Sequence, residues 1–270
     1  FCCGYPLLSS GADAQFASNM ARNKKALQAT IACATKRGFR VTHIVTACGS
    51  CREGIERLEP STLLGEEGGE LVHLDVMQFV QGRMDANPDL FKGNVLYHAS
   101  CHPEWSGVQA VKGGGKTARA LERLTGASIL LNPGCCGESG TGAYTSPGIY
   151  NALRERKRGR LQTALLGYEA EAPILVGCPS CKLGIARTLL TMKEDHPARG
   201  ARRQAHTDGA AVPPEVDTHR PVLHSVEWLA QVLLGDDWLH RFRKQALKID
   251  ADGLRLVDMA SSAPASLAPP

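Results

Sequence analysis

Two stretches of the chain, HIVTACGSCREGI (residues 43–55) and ILVGCPSCKLGI (174–185), repeat a single pattern. Each is an apolar run followed by Cys-x-Ser-Cys, a basic residue, one further residue and Gly-Ile. An apolar run that ends at a cysteine pair predicts a buried strand followed by the start of a helix. The repeat therefore predicts that the chain builds one structural unit twice.

Other segments repeat with nearly the same spacing. Cys2-Cys3-Gly4 corresponds to Cys135-Cys136-Gly137, at almost the same offset along the chain as the two Cys-x-Ser-Cys turns. LDVMQFV (74–80) resembles HSVEWLA (224–230), and each reads as the start of an amphipathic helix. We interpret the chain as a tandem duplication, with a first domain at 1–93, a second at 94–240 and a tail at 241–270.

The two halves are not complete copies of each other. Cys101 precedes Cys135 with the segment 102–134 between them, and the same spacing would place its counterpart upstream of Phe1. We therefore expect the first domain to be truncated at its N-terminal end, with further sequence before Phe1. The polar segment 195–220 has no counterpart in the first half and is predicted to be a disordered insertion.

Strand and helix patterns alternate along the chain. The predicted strands are 41–47, 94–98, 128–134 and 173–177, and the predicted helices are 20–38, 117–126 and 146–167. GGGKT (113–117) is predicted to be a loop that leads into a helix. Alternation of this kind predicts an α/β fold in which small parallel sheets are flanked by helices. We expect the two domains to be related by a pseudo-twofold axis, with the cysteines at the carboxyl ends of strands, where open sheets bind ligands.

Composition narrows the functional class. The 270 residues are 43% hydrophobic, and the net charge of +4 comes with no basic run interleaved with aromatic residues, so we expect no nucleic-acid partner. No segment approaches the ~20 apolar residues of a membrane helix, and no secretory pattern is present. The basic run RERKRGR (154–160) predicts a solvated helix face, with docking to an acidic partner or a membrane surface as the alternative.

Ten cysteines in a chain of this size favour metal binding or redox chemistry over a disulfide framework. Cysteines at a helix start have a lowered pKa, because the helix dipole and free N–H groups stabilise the thiolate. Adjacent cysteines suit a cluster of several metal atoms, and five thiols exceed the four ligands of a tetrahedral zinc. The pattern points to iron–sulfur chemistry. Cys33, within a helical pattern, is predicted to be a small core residue.

Both halves resemble the cysteine-rich CCG domain of heterodisulfide reductase and its relatives. Those relatives include the iron–sulfur subunit of glycolate oxidase and the iron–sulfur parts of FAD-linked D-lactate and other 2-hydroxyacid dehydrogenases. The resemblance covers roughly 1–90 and 94–235. The segments that carry it are FCCGYPLLSSG (1–11), TACGSCREGI (46–55), YHASCHPEW (97–105), NPGCCGESGTG (132–142), VGCPSCKLGI (176–185) and LHSVEWLAQVL (223–233).

The resemblance implies two metal sites. The ligands of the second-half site, expected to hold a [4Fe–4S] cluster of the cubane or noncubane type, would be Cys101, Cys135, Cys136, Cys178 and Cys181. Four of five ligands of the first-half site would be Cys2, Cys3, Cys48 and Cys51. In some relatives such a site holds zinc or nothing. His98 and His102, which flank Cys101, are candidates to donate hydrogen bonds to cluster sulfur.

The resemblance also implies a function. The leading hypothesis is an iron–sulfur electron-transfer module of a FAD-linked 2-hydroxyacid oxidoreductase, acting on a D-lactate- or glycolate-type substrate. The FAD would lie on an upstream domain or on a partner subunit, and the electrons would pass to a quinone or another carrier. The expected location is the cytoplasm or the inner face of the membrane. The alternatives are disulfide reduction of the heterodisulfide reductase type and a non-catalytic scaffold that is zinc-stabilised or empty.

Overall fold

The structure is a computed structural model of the 270-residue chain. It describes residues 2–64, 71–102, 104–105, 107–138, 145–166, 168–169, 171–194, 218–246, 249–250 and 253–254. Most of the predicted insertion (195–220) and residues 255–270 of the predicted tail lie outside these ranges.

Helices and strands alternate through the chain. The helices are α1 (Tyr5–Ser9), α2 (Asp13–Lys36), α3 (Gly49–Glu56), α4 (Val76–Gln81), α5 (Ala110–Thr125), α6 (Pro147–Leu165), α7 (Pro179–Glu194), α8 (Ser225–Leu234) and α9 (Trp238–Ala246), with a short 3₁₀ turn at Pro60–Thr62. The strands are β1 (His43–Thr46), β2 (Val72–Asp75), β3 (Asn94–Ala99), β4 (Ser128–Pro133), β5 (Ile174–Val176), β6 (Val222–His224), β7 (Ile249–Asp250) and β8 (Gly253–Leu254).

The strands form small parallel sheets, as the sequence predicts. In the first half, β1 pairs with β2. In the second half the order is β4-β3-β5-β6, and every neighbouring pair is parallel. Strand β3 is central and fully buried from Val95 to Ala99, because helices cover the sheet. The fold class is therefore α/β, with small parallel sheets flanked by helices.

Helix α5 begins earlier than the sequence predicts, and the expectation of a loop at GGGKT is wrong. The helix runs through this stretch because it packs closely on β3. A Cβ on Gly114 would lie 2.5 Å from the Cβ of Ala99, and one on Gly113 would lie 3.3 Å from the backbone nitrogen of Glu104. The glycines therefore serve the close approach of a helix to a strand rather than a flexible loop.

The repeated turns have the same local structure. In each, a parallel strand is followed by a cysteine at which the next helix starts. Arg52 N donates to Cys48 O at 2.8 Å, and Lys182 N donates to Cys178 O at 3.0 Å. The strand and helix that follow farther on, β2–α4 and β6–α8, also correspond. A pseudo-twofold axis relating the complete halves remains a prediction.

Contacts divide the chain into two compact units, residues 1–226 and 227–270. All ten cysteines lie in the first unit. Within the second, α9 is followed by the antiparallel pair β7 and β8. None of the described helices is both long and apolar enough to span a membrane.

A buried carboxyl at the end of β2 makes stability depend on pH. Asp75 is 3% exposed and caps α4 by accepting a hydrogen bond from Met77 N at 2.7 Å. Burial raises the pKa of Asp75 from 3.8 to about 7, and the nearby Glu104 adds to the shift. The pKa of Asp75 is higher in the folded protein than in the unfolded chain. Its contribution to the free energy of unfolding is therefore complete below pH ~4 and is lost as the pH rises to about 7.

Asp75→Asn should remove this pH dependence. Asparagine stays neutral and can still accept from Met77 N. Relative to the variant, the wild type should lose on the order of 2–4 kcal/mol of unfolding free energy between pH 4 and 7.5. Urea unfolding of the two metal-free proteins at both pH values measures the difference. If the unfolding free energies of the wild type and the variant change equally with pH, ionisation of Asp75 does not destabilise the folded protein.

Candidate metal centre

Parallel pairing brings the cysteine loops to one edge of each sheet. Cys48 follows β1, Cys101 follows β3, Cys135 and Cys136 follow β4, and Cys178 follows β5. All of these strands present their carboxyl ends at that edge. The sequence predicted this placement, and the structure confirms it.

Nine thiols form one continuous array rather than two separate groups. Each thiol influences the pKa of the next, from one end of the array to the other. The order is Cys2, Cys3, Cys51, Cys48, Cys178, Cys181, Cys136, Cys135 and Cys101. The two halves meet where the Sγ atoms of Cys48 and Cys178 lie 3.4 Å apart. The repeated turns therefore contact each other directly.

The array is buried in the middle and open at its ends. Cys48, Cys136, Cys178 and Cys181 are buried, whereas Cys2 and Cys101 are exposed. Cys33 lies outside the array, on α2, and it is exposed, so its expected place in the core is wrong. The core face of α2 is formed instead by residues such as Met20 and Ile31.

Glycines hold the Cys-Cys-Gly loops against the helices. Gly4 and Gly137 have φ values of 79° and 73°, a left-handed conformation that side chains rarely adopt. A Cβ on Gly54 would overlap the carbonyl oxygen of Cys3, and one on Gly184 would lie 3.1 Å from the Cβ of Cys136. At the glycine of the Gly-Ile pair that ends each repeated turn, the helix therefore packs closely against the neighbouring cysteine loop.

Contacts between the thiols separate their pKa values. Hydrogen bonds from the thiols of Cys178 and Cys51 lower the pKa of Cys48, and the N–H groups of Cys51 and Ser50 at the start of α3 lower it further. The thiols of Cys101 and Cys136 lower the pKa of Cys135 in the same way.

Several other thiols of the array have raised pKa values, whereas the contact with Cys51 lowers the pKa of Cys3 to about 6. The pKa values of Cys51, Cys101 and Cys181 are raised, mainly by their hydrogen bonds to neighbouring thiols and by burial. The expectation that every cysteine at a helix start has a lowered pKa is therefore met at Cys48 but not at Cys178, whose pKa is raised to about 12.

A buried histidine and a buried lysine lie beside the array. His98 is fully buried in β3, and its Nδ1 is 3.3 Å from the carbonyl oxygen of Asn132. Lys157, in α6, is 1% exposed, and its Nζ donates to the same carbonyl at 3.1 Å and to Oδ1 of Asn132. Burial lowers the pKa of His98 to about 3, and the Lys157 ammonium contributes to the shift. The imidazole is therefore neutral.

A ring nitrogen of His98 completes a group of three donors. It and the sulfur atoms of Cys136 and Cys181 all lie within 4.8 Å of one another. Nε2 of His98 has no hydrogen-bond partner among the described residues. His102 faces elsewhere, with its Nδ1 3.1 Å from Oε2 of Glu53 and its ring edge-on to Tyr5.

A buried carboxyl supports the loop that carries Cys101. Glu104 is 1% exposed, and its Oε2 accepts from Tyr97 OH at 2.6 Å and from Thr117 Oγ1 at 2.8 Å. A Cβ on Gly177, just before Cys178, would lie 2.6 Å from the Glu104 carboxyl carbon. Glu104 therefore ties β3 and α5 to the loops of two cysteines, and burial raises its pKa.

The donor set fits a soft metal centre. All ten cysteines are free, and four of the nine thiols in the array are buried at the mouth of the sheets. Thiolate donors with one imidazole nitrogen suit zinc or an iron–sulfur cluster rather than magnesium or calcium. Adjacent cysteines and a run of nine sulfurs offer more ligands than one tetrahedral ion can use.

Cys101 follows one strand, Cys135-Cys136-Gly137 the next, and Cys178-x-x-Cys181 a third. Residues 95–186 match the family model of the CCG cysteine-rich domain. No curated protein matches the chain. The CCG domain spans β3 to the first half of α7 and includes all five cysteines expected in the second-half site. In this domain the cysteines could bind metal, which is consistent with an iron–sulfur role.

Sequence reasoning missed two residues of the CCG domain. Lys157 lies within RERKRGR, which predicted a solvated face, yet it is buried against Asn132. Its spacing of four from Leu153 and Leu161 was the available signal, because residues four apart share a helix face. Glu104 was also missed, since a glutamate after a cysteine carries no sign of burial.

Proposed function

We propose that the chain is an iron–sulfur electron-transfer module of a larger oxidoreductase. The observation that carries the proposal is the unbroken array of nine thiols, in which Cys48 and Cys178 join the two halves through sulfur atoms 3.4 Å apart. When bound, iron–sulfur clusters supply one-electron transfer with little rearrangement.

The array is built as a path with two open ends. Its exposed terminal residues, Cys2 and Cys101, lie on either side of a buried middle. Electrons can therefore enter near one exposed end and leave near the other, while the buried cysteines exclude water. Lys157 places a buried positive charge behind Cys135, Cys136 and Cys181, where it offsets the negative charge of thiolate ligands.

The donor in this proposal is a FAD domain or subunit that oxidises a 2-hydroxyacid of the D-lactate or glycolate type. The acceptor is a quinone or another carrier, and the module works in the cytoplasm or at the inner face of the membrane. Support for these finer assignments comes from the cysteine pattern that the two halves share with the iron–sulfur parts of FAD-linked oxidoreductases.

Anaerobic reconstitution with iron and sulfide tests the proposal. The full chain should bind several iron atoms with matching sulfide, turn brown and give an electron paramagnetic resonance signal after one-electron reduction or oxidation. The reduced protein should then pass electrons to a soluble quinone analogue. A colourless protein that holds a single zinc ion would contradict the proposal and support the scaffold alternative.

Disulfide reduction is a second candidate function, favoured by a cavity at one thiol. A cavity of about 250 Å³ is lined by Gly134, Cys135, Leu153, Arg156, Lys157 and Arg160. Its three basic side chains suit a small anionic disulfide, which would lie beside Cys135. Two electrons and two protons would convert that disulfide into two thiols, with the electrons supplied by a reduced partner protein.

The two candidates differ in a direct measurement. The reconstituted, reduced protein is mixed anaerobically with an anionic disulfide such as oxidised glutathione. Disulfide reduction predicts stoichiometric release of thiols, and Arg156→Gln should slow that release. Electron transfer alone predicts that the quinone analogue is reduced and the disulfide is not.

A further inference from the structure

His98 occupies the centre of the sheet edge from which the CCG loops emerge. In register it pairs with Asn132 of β4 on one side and with Val176 of β5 on the other. The Cys135–Cys136 loop begins shortly after Asn132, and Cys178 comes shortly after Val176. The side chain of His98 is fully buried at this position, between the two loops.

The hydrogen bond at Nδ1 fixes the tautomer of the ring. A carbonyl oxygen can only accept, so Nδ1, 3.3 Å from the Asn132 oxygen, carries the ring proton. Lys157 donates to the same oxygen at 3.1 Å. Nε2 is therefore an unprotonated acceptor and cannot donate a hydrogen bond to sulfur. A hydrogen bond from His98 to cluster sulfur would require the other tautomer.

Nε2 of His98 lacks a hydrogen-bond partner in the part of the chain that the structure describes and is available to bind a metal. A buried acceptor without a hydrogen-bond partner destabilises a protein, and Nε2 of His98 has none among the described residues. Histidines that bind metals commonly hold their other N–H against a backbone carbonyl, as His98 does. The sulfur atoms of Cys136 and Cys181 lie within 4.8 Å of a ring nitrogen of His98.

We propose that Nε2 of His98 is a direct ligand of the metal centre, together with the sulfur atoms of Cys136 and Cys181. The inference rests on the proposed function only in requiring a metal at this site. It makes the second-half site a mixed nitrogen–sulfur site. Replacement of a thiolate ligand by imidazole raises the reduction potential of a cluster.

Cobalt binding to the metal-free full chain tests the proposal independently of iron. Co²⁺ reports thiolate and imidazole ligands through its visible absorption. His98→Gln should weaken Co²⁺ binding by at least about 10- to 100-fold, the loss that follows even from disturbing the partners of a ligand. His102→Gln is the matched control, because His102 pairs with Glu53 instead, and its Co²⁺ affinity should equal that of the wild type. Equal affinity in His98→Gln and the wild type would overturn the proposal.

A measurement on the unmodified protein removes any dependence on the folding of the variant. Long-range ¹H–¹⁵N spectra resolve the tautomers of the nine histidines before and after Zn²⁺ is added. One ring should carry its proton on Nδ1 in both states, with an Nε2 resonance that moves when Zn²⁺ binds. If instead no Nε2 resonance moves while Zn²⁺ binds, a thiol of Cys136 or Cys181 is the partner of Nε2, and the proposal fails.

The outcomes separate this proposal from the proposed function. Co²⁺ or Zn²⁺ binding through His98, with no iron–sulfur species after reconstitution, would support His98 as a metal ligand and contradict the electron-transfer function. An iron–sulfur species that forms equally in the wild type and in His98→Gln, with no zinc-induced shift, would support the electron-transfer function and contradict His98 as a metal ligand.

Discussion

Cys178→Ser should strip most of the iron from the reconstituted protein. Cys178 is 4% exposed and contacts Cys181 of its own loop, and its Sγ lies 3.4 Å from that of Cys48. The substitution removes a thiol at the junction of the two halves, so both parts of the array lose a contact. Because metal binding energy is also folding energy, the holoprotein should lose stability as well, out of a total on the order of 10 kcal/mol for a structural site.

Cys33→Ser is the matched control for this experiment. The chemical change is the same, but Cys33 is exposed on α2 and lies outside the array. Its iron and sulfide content and its melting temperature should equal those of the wild type. Iron analysis and thermal unfolding of the three reconstituted proteins provide the comparison. Equal loss of iron in both variants would mean that the metal does not use the array.

Gly54→Ala should destabilise the protein even without metal. A Cβ at this position would overlap the carbonyl oxygen of Cys3, which is backbone and cannot rotate away. Either α3 or the Cys2–Cys3 loop must move, at a cost of about 1–3 kcal/mol for an overpacked site. The displaced loop should also open the contact between Cys3 and Cys51, and iron binding in the first half should weaken.

Gly159→Ala is the control for the glycine experiment. Gly159 is also in a helix, α6, but a Cβ there would have nothing within 4 Å. Alanine is the better helix former, so this variant should gain about 0.5–1 kcal/mol. Urea unfolding of the metal-free proteins measures both changes. A stabilised Gly54→Ala would show that the repeated glycine has no role in seating the cysteine loop.

Local patterns in the sequence were sufficient to predict β1, β3, β4 and β5, most helices and the edge at which the cysteines gather. Apolar runs such as those before Cys48 and Cys178 have the length of buried strands, and the alternation with helices leaves a parallel sheet as the consistent arrangement. Parallel strands end at a common edge, so thiols that follow them must gather there. The assignment of 95–186 to the CCG domain follows from the same spacings.

The predictions failed for residues whose environment depends on tertiary packing rather than on the local sequence pattern. Lys157 and Cys33 have sequence environments that suggest the opposite of what the structure shows, because which face of a helix is covered depends on what packs against it. The helix through GGGKT formed for the same reason, since contact with Ala99 requires glycine there.

The sequence by itself determined that one strand–cysteine–helix turn occurs twice, that the sheets next to the cysteines are parallel and that thiols dominate the candidate site. These properties follow from residue type and spacing along the chain. Only the tertiary structure decided that the two thiol sets touch through Cys48 and Cys178, and that a ring nitrogen of His98 lies within 4.8 Å of the sulfur atoms of Cys136 and Cys181. Such contacts depend on how separate strands and helices pack, and residues so far apart along the chain carry no local signal of their meeting.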